Sequence, residues 1–386
     1  MDNLKYWVWL TIKKSMNPYK ITSLLDKFGS IGEIYNSDAY IDVEGISFRE
    51  KKELLNKSLE QAEKVIEKTE ILGARIVTIA DEEYPRMLRE IQPPPYVLYM
   101  KGKKFDWDNF LSIGVIGARE CTEYGIVATQ KLCSELSAAG VTIVSGMARG
   151  IDSVAAVTAL KNGGKTIAVI GSGLDVCYPP ENDKLMEALF ENGLVISEYP
   201  PGGRPLGFHF PERNRIISGL SRGILVTEAT WHSGTFTTVR SAIDAGKDIF
   251  AIPGGIFHKE SAGTNMMIKR GAFLTTSVRD IFAQYPEEAA RLERASGNGV
   301  EVEFLKPESD EPKEEIAPKF SITDSRFKGL NEKELAIIEV LLEGELHVDE
   351  IARKSAMTIQ ELNAVLPMLE MMGQIKKLAG NLYRIE

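Results

Sequence analysis

A basic, aromatic stretch, FHFPERNRIISGLSRGILVTEA, runs from Phe208 to Ala229. Phe208 and Phe210 flank His209, and Arg213, Asn214 and Arg215 follow closely. Two chemistries fit these residue types. Exposed, the rings would stack on bases while the guanidinium groups hold a phosphodiester backbone, as single-stranded nucleic acid requires. Buried, the rings would belong to a core and the arginines would pair with Glu198, Glu212 or Glu228. Arg213 and Arg215 stand two apart, so a helix turn spreads them around its start.

Four further segments hold glycines and hydroxyls at comparable spacing. GARECTEYG carries Gly117, Arg119 and Thr122, and SGMARGID runs from Ser145 and Gly146 to Asp152. GSGLDVCYP contributes Gly171, Ser172 and Gly173, and SGTFTT contributes Ser233, Gly234 and Thr235. Glycine lets a backbone approach an anion closely, and the N–H groups of a helix start supply donors with a favourable dipole. One such turn also serves plain strand-to-helix geometry and is weak evidence. Four of them on one rim of one sheet describe a surface built for phosphate.

Other chemistries find less support. His209, His232 and His258 could meet at the same rim, but no Cys/His spacing marks a metal site. Cys121 has no assignable His or Asn/Asp partner, and neither Ser145 nor Ser172 sits in a G-x-S-x-G elbow. GSGLD lacks the full G-x-G-x-x-G spacing, and no G-x-x-x-x-G-K-[ST] occurs. The expectation is therefore no catalytic residue, no metal and no cofactor.

These turns need strands to position them. LSIGVIGA, VTIVSG, KTIAVIGSG, LVISE, GILVTEA and DIFAIPGG read as buried strands, each ending in small residues. Helical stretches such as IVATQKLCSELSAAG and FTTVRSAIDAGK lie between them. That alternation implies right-handed crossovers and a parallel sheet covered on both faces, over residues 106–284. Ligands of such sheets sit at the carboxyl ends of the strands, where these turns fall.

Before this block, residues 1–105 carry apolar positions three and four apart and read as a helical accessory domain, closed by a proline-rich segment at Pro93 to Pro95. After it, residues 285–327 are acidic, proline-containing and almost free of periodicity, the composition of a flexible linker. Residues 328–386 give three short helices and a hairpin, the pattern of a winged helix, with Thr358 as an N-cap and Gly373 as a stop.

The chain has 386 residues, a formal net charge of -9 and 44% hydrophobic residues, which suits a soluble protein of two or three domains. No apolar run is long enough to span a bilayer, and MDNLKYWVWLTIKKSMN makes a poor signal peptide. Three scattered cysteines, Cys121, Cys133 and Cys177, fit a reducing cytoplasm better than a disulfide framework. Net acidity excludes neither nucleic acid nor phosphate, because the local field decides those contacts.

In this order, GARECTEYG, SGMARGID, GSGLDVCYPPEN, SEYPPGGRP, FPERNRIISGLS, EATWHSGTFTT and IPGG resemble the DNA-processing protein A family, also called Smf. The resemblance covers the whole second block. It implies an extended Rossmann-like domain flanked by a SAM-like or helix-hairpin-helix-like N-terminal domain and a C-terminal winged helix. It further implies a cytoplasmic homodimer that binds single-stranded DNA without catalysis and loads a RecA-type recombinase, as in natural transformation. Carried onto this chain, the pocket uses the backbone around Gly117, Ser145, Gly146, Gly171 and Gly173. Arg119, Phe210, Arg213, Asn214 and Arg215 supply charge and stacking, with Ser233, Gly234 and Thr235 nearby. Two positions depart from the family's pattern: Ala156 stands where a histidine is common, and TFTT follows Ser233-Gly234.

The competing reading is a Rossmann-like nucleoside-monophosphate hydrolase, whose PGGxGTxxE signature PGGIFHKES breaks at the G-T pair. A third is a structural dimer scaffold with no affinity for nucleic acid. The winged helix stays open between a second DNA site and a protein-contact module. TIQELNAVLPMLEMMG has no Arg or Lys where a recognition helix meets phosphates, and Lys376, Lys377 and Arg384 form its only basic cluster.

Overall fold

The computed structural model describes residues 2–38, 40, 43–107, 111–231, 233–295, 327, 329–342, 344–377 and 381–385. The chain divides into two compact units, residues 1–306 and 307–386.

The first unit opens with five helices: α1 (Asp2–Thr11), α2 (Pro18–Phe28), α3 (Ile31–Asn36), α4 (Phe48–Leu55) and α5 (Glu60–Ile71). Sequence capping sets several of their ends. Asn17 caps α2 ahead of Pro18, and Ser47 and Glu50 close a reciprocal capping box on α4. Trp7, Trp9, Leu10, Ile21 and Leu24 bury the inner faces of α1 and α2.

The expected boundary at residue 105 is not a structural break. β1 (Arg75–Thr78) and β2 (Val97–Gly102) come from the block read as helical, and they extend the sheet that follows. β2 pairs antiparallel with β6 (Leu194–Ser197), from Tyr99 opposite Ser197 to Gly102 opposite Leu194. The five helices share one hydrophobic core with Tyr96, Val97, Ala168, Ile170 and Val195 beneath them. Burial against the sheet overrides the separation that composition suggested.

The rest of the unit alternates as the sequence implies: β3 (Ser112–Ile116), α6 (Glu123–Ala138), β4 (Thr142–Ser145), α7 (Ile151–Lys161), β5 (Thr166–Ile170), α8 (Asp183–Asn192), β6, α9 (His209–Leu220), β7 (Gly223–Val226), α10 (Thr235–Asp244), β8 (Asp248–Ala251), α11 (Ala262–Lys269), β9 (Phe273–Leu274) and α12 (Val278–Phe282). The sheet order is β1-β2-β6-β5-β4-β3-β7-β8-β9, and every pair from β6 to β9 is parallel. The strand order reverses between β3 and β7, so a crevice opens at their carboxyl ends.

The acidic segment read as linker begins with α13 (Pro286–Ala295). Pro286 suits a first helical position, Ala289 is buried, and Leu292 packs against the core around β3. Ala289 and Leu292, three residues apart on one face, anchor the helix despite its acidic composition. The remainder of that segment, residues 296–326, lies outside the described residues.

The second unit holds α14 (Glu332–Leu341), β10 (Leu346–His347), α15 (Val348–Ser355), α16 (Ile359–Met371), β11 (Ile375–Lys377) and β12 (Leu382–Ile385). β12 pairs with β11 and also with β10, one strand more than the hairpin expected from sequence. Thr358 caps α16 and closes a capping box with Glu361. Ile337, Leu341, Ile351, Leu362, Leu366 and Tyr383 form the core.

Candidate nucleic-acid interface

The carboxyl rim of the parallel strands carries the candidate residues in two layers. One layer is buried and holds the turns in place. The other faces solvent.

Arg213 belongs to the buried layer, with 4% of its surface exposed. Its Nη1 donates to the carbonyl of Gly146 at 2.7 Å and to that of Val169. Asp152, 7% exposed, accepts from the backbone N–H groups of Gly146 at 3.1 Å and Ala148 at 3.4 Å. Burial raises the Asp152 carboxyl, and Arg213 opposes that rise. Burial pulls the Arg213 guanidinium down to about 10, with Asp152 opposing, so it stays charged at neutral pH. Arg213 thus ties α9 to the turn after β4 and to β5 itself. Arg213, expected as a charged contact to DNA, turns its Nη1 inward onto these two carbonyls.

Arg215 is also committed. Its Nη2 donates to both Glu198 oxygens, at 2.7 and 2.6 Å, and the pair is largely buried. Burial raises the Glu198 carboxyl and Arg215 opposes it. Of the two chemistries open for these arginines, ion pairing holds at Arg215. The signal was local, because Glu198 ends strand β6 on the same rim.

Several glycine-turn residues support the rim in the same way. Ser145 Oγ donates to the Val115 carbonyl at 2.7 Å and is 1% exposed, so it staples β4 to β3. Both backbone groups of Gly146 are taken, by Asp152 and Arg213. Gly173 N–H donates to the Gly203 carbonyl at 2.9 Å, under the PPGGRP loop. That loop is pinned twice over: Gly202 N–H donates to Asp175, which Lys68 of α5 also reaches at 2.6 Å. Gly117 accepts from Thr235 Oγ1 at 3.2 Å, and Ser233 Oγ lies 2.7 Å from the same hydroxyl. Gly234 has open space above it. Ala156, where a histidine is common in the family, is buried within α7.

The outer layer centres on the exposed Arg119 and the half-buried Phe210. The Arg119 guanidinium lies over the Phe210 ring, 5.8 Å from its centroid. Phe210 in turn packs against Tyr178, with centroids 5.3 Å apart, and covers Gly171, where a Cβ would meet the ring at 3.2 Å. Gly150, at φ 72°, fixes the Arg119 turn: a side chain there would strike the Ala118 and Arg119 carbonyls at 2.3 and 2.6 Å. Ile151 N–H then donates to the Ala118 carbonyl. Phe208 is 60% exposed and stands edge-on to His209, which stacks on Tyr199 and bonds the Gly171 carbonyl. His232 lies outside the described residues, and His258 packs over Gly255, away from His209's partners. Asn214 bridges Arg213 Nε and Thr237 Oγ1.

Sequence reasoning left Tyr178 and Arg204 without a role, named Asp152 only as the end of SGMARGID, and offered Glu228 only as an arginine partner. Glu228 is 1% exposed and accepts from the Thr122 N–H at 2.9 Å and from its hydroxyl, closing the crevice between β3 and β7. An acid directly after a buried strand was the available signal for it. Arg204 is exposed on the pinned loop, and Arg149 pairs with Glu181 at the surface. A rim that combines stacked rings, surface guanidiniums and fixed backbone suits a flexible polyanion with exposed bases.

A family model described as DNA recombination-mediator protein A matches residues 75–286. The chain belongs to that family. The match begins where β1 begins, and a second model, the DprA winged helix domain, matches residues 327–381. Among relatives, DNA processing protein DprA of Streptococcus pneumoniae is 46% identical over 208 residues, 54% of this chain and 73% of that protein. Protein Smf of Synechocystis is 29% identical over 407 aligned residues, covering 98% of both. The solved structure of the S. pneumoniae protein aligns at a TM-score of 0.64 and 36% identity, over 72% of this chain and 97% of that one. DNA processing protein A of Helicobacter pylori, solved to describe its mode of binding single-stranded DNA, aligns at 0.51 and 30% identity, over 55% and 97%. The family resemblance read from the seven motifs therefore holds, as does the fold class with its parallel sheet, N-terminal helices and C-terminal winged helix. Among the described residues no helix is long and apolar enough to cross a membrane.

Proposed function

We propose that this recombination mediator binds single-stranded DNA on the exposed layer of the rim, without chemistry of its own, and loads a RecA-type recombinase on the bound strand. The observation that carries the reading is the Arg119–Phe210–Tyr178 cluster on the carboxyl rim. A cation above a ring offers a phosphate contact and a base platform within one footprint. The single-stranded DNA described for the H. pylori relative supports the same ligand class. Duplex DNA fits less well, because its stacked bases do not reach an aromatic platform.

A cytoplasmic homodimer, with one strand crossing both subunits, completes the proposal, and a role in natural transformation follows from the family. The catalytic alternative has no matching acid: the segment after β8 reads PGGIFHKES, and Glu260 gives its carbonyl to Ala229 and its carboxylate to Lys259.

Two measurements on the full chain test the reading. Fluorescence anisotropy compares oligo-dT with a duplex of equal length, and strand-exchange or recombinase ATPase assays follow filament growth on coated single strands. The proposal expects preference for oligo-dT and faster filament growth. Release of free base from nucleoside monophosphates, or equal affinity for duplex, would overturn it.

A further inference from the structure

A second aromatic surface stands on the same rim, on the far side of the crevice from Phe210. Trp231, after β7, is 58% exposed. Ile256 and Phe257, after β8, are 84% and 94% exposed, and Tyr124, at the start of α6, is 51% exposed. Leaving this much apolar surface in water costs stability, and clusters of it mark binding sites.

The display is built, not loose. Asn265 clamps the base of the Phe257 loop from both sides: its Oδ1 accepts from Gly254 N–H at 3.1 Å and its Nδ2 donates to Gly254 carbonyl at 2.9 Å. The His258 ring lies against Gly255, where a Cβ would meet it at 2.6 Å. Tyr124 Oη donates to the Pro253 carbonyl at 2.8 Å. The Trp231 loop is tied to the same region, since Ala229 N–H donates to the Glu260 carbonyl and Gly263 N–H donates to the Ala229 carbonyl.

The turn after β3 joins this surface to the first. Its Arg119 lies over Phe210, its Thr122 binds Glu228 and its Tyr124 reaches Pro253. From β5, beneath Phe210, to β8, beneath Phe257, the sheet crosses four strand spacings, about 19 Å at ~4.8 Å each. Glu120 and Glu123 are exposed on the bridging turn and repel phosphate there. Lys259 stands exposed just beyond Phe257 and is paired with Glu260.

We infer that Trp231 and Phe257 form a second base-stacking platform, which extends the single-strand path from Phe210 across the crevice between β3 and β7. This rests on the proposed single-strand binding. It adds a footprint longer than one pocket and an asymmetry: charge holds the strand at Arg119, and stacking alone holds it beyond.

Trp231 is the exposed one of four tryptophans, since Trp7 and Trp9 are 4% and 2% exposed and Trp107 is partly buried. Its emission is therefore a direct probe. Oligo-dT of about twenty and about six nucleotides is titrated into wild type, Trp231→Tyr and Trp231→Ala/Phe257→Ala, with emission and affinity followed at several salt concentrations. The expected result is quenching by the long strand that Trp231→Tyr abolishes. The double variant should bind the long strand about tenfold or more weaker, bind the short strand within about twofold of wild type, and keep its salt slope. Unchanged long-strand affinity with unquenched emission would overturn the second platform while leaving the first intact. A double variant that loses self-association but not DNA affinity would also overturn it and make the surface a protein contact. Absence of binding by wild type at any salt would instead remove the functional reading beneath both.

Discussion

The rim has two layers of arginine, and they behave oppositely. Arg213 and Arg215 lie inside, spent on carbonyls, Asp152 and Glu198. Arg119 lies outside over Phe210, and Arg204 stands on the pinned PPGGRP loop. The inner pair fixes where the turns sit, and the outer ones meet whatever arrives. A guanidinium count on a loop therefore says little about charge offered to a ligand until the burial of each one is known.

The sharpest way to break this comparison is Arg213→Ala. It strips the buried Asp152 carboxyl of the guanidinium that opposes its desolvation and removes the Arg213 donations to two carbonyls, so urea unfolding should show a loss of about 3–5 kcal/mol. A variant of wild-type stability with weakened DNA binding would move Arg213 to the outer layer.

Arg215→Ala should cost less, about 2–3 kcal/mol at neutral pH, because the Glu198 pair keeps slight solvent contact. Its pH dependence carries a definite sign. Burial raises the Glu198 carboxyl above its unfolded value, so its stabilising contribution is full below the ordinary carboxylate range and is lost as pH rises through the raised value. Removing Arg215 raises that carboxyl further. The difference between variant and wild type should shrink as pH falls from about 7 toward about 4, and a difference that grows would contradict the assignment.

Phe210→Leu probes the outer layer. Affinity for single strands should fall by about 1–2 kcal/mol, with the salt slope unchanged, since a ring and not a charge is removed. Smallest of all is the effect of Lys376→Ala/Lys377→Ala in the winged helix, expected within about twofold of wild type. α16 exposes Ile359, Met368 and Met371, its C-cap exposes Met372, and the helix has no cation along its length, a surface suited to protein contact. A large loss there would move the principal site to that unit.

The site was legible where its signals are local. Glycine and hydroxyl turns after apolar strands marked the rim, because strand ends, helix starts and φ-positive glycines leave their signatures within a few residues. Thr358 marked the start of α16 for the same reason. Burial of Arg213 was not legible, since its partners Gly146 and Val169 lie far away in sequence and meet it only through the order of the sheet. β1 and β2 were hidden for a related reason: an antiparallel addition to β6 joins residues about a hundred positions apart, and ARIVTIA and PYVLYMKG carry no turn signature naming their partner. α13 was misread because acidic composition masked the stripe of Ala289 and Leu292.

The central claim, that the outer layer and not the inner one holds the strand, is tested most directly by one salt titration. Anisotropy of labelled oligo-dT is followed against salt for wild type and Arg119→Ala, with urea unfolding of both alongside. The account predicts unchanged unfolding, affinity lower by about 1–2 kcal/mol at low salt, and a salt slope shallower by about 0.7, the loss of one phosphate contact. Equal affinity and equal slope in a fully folded Arg119→Ala protein would contradict it.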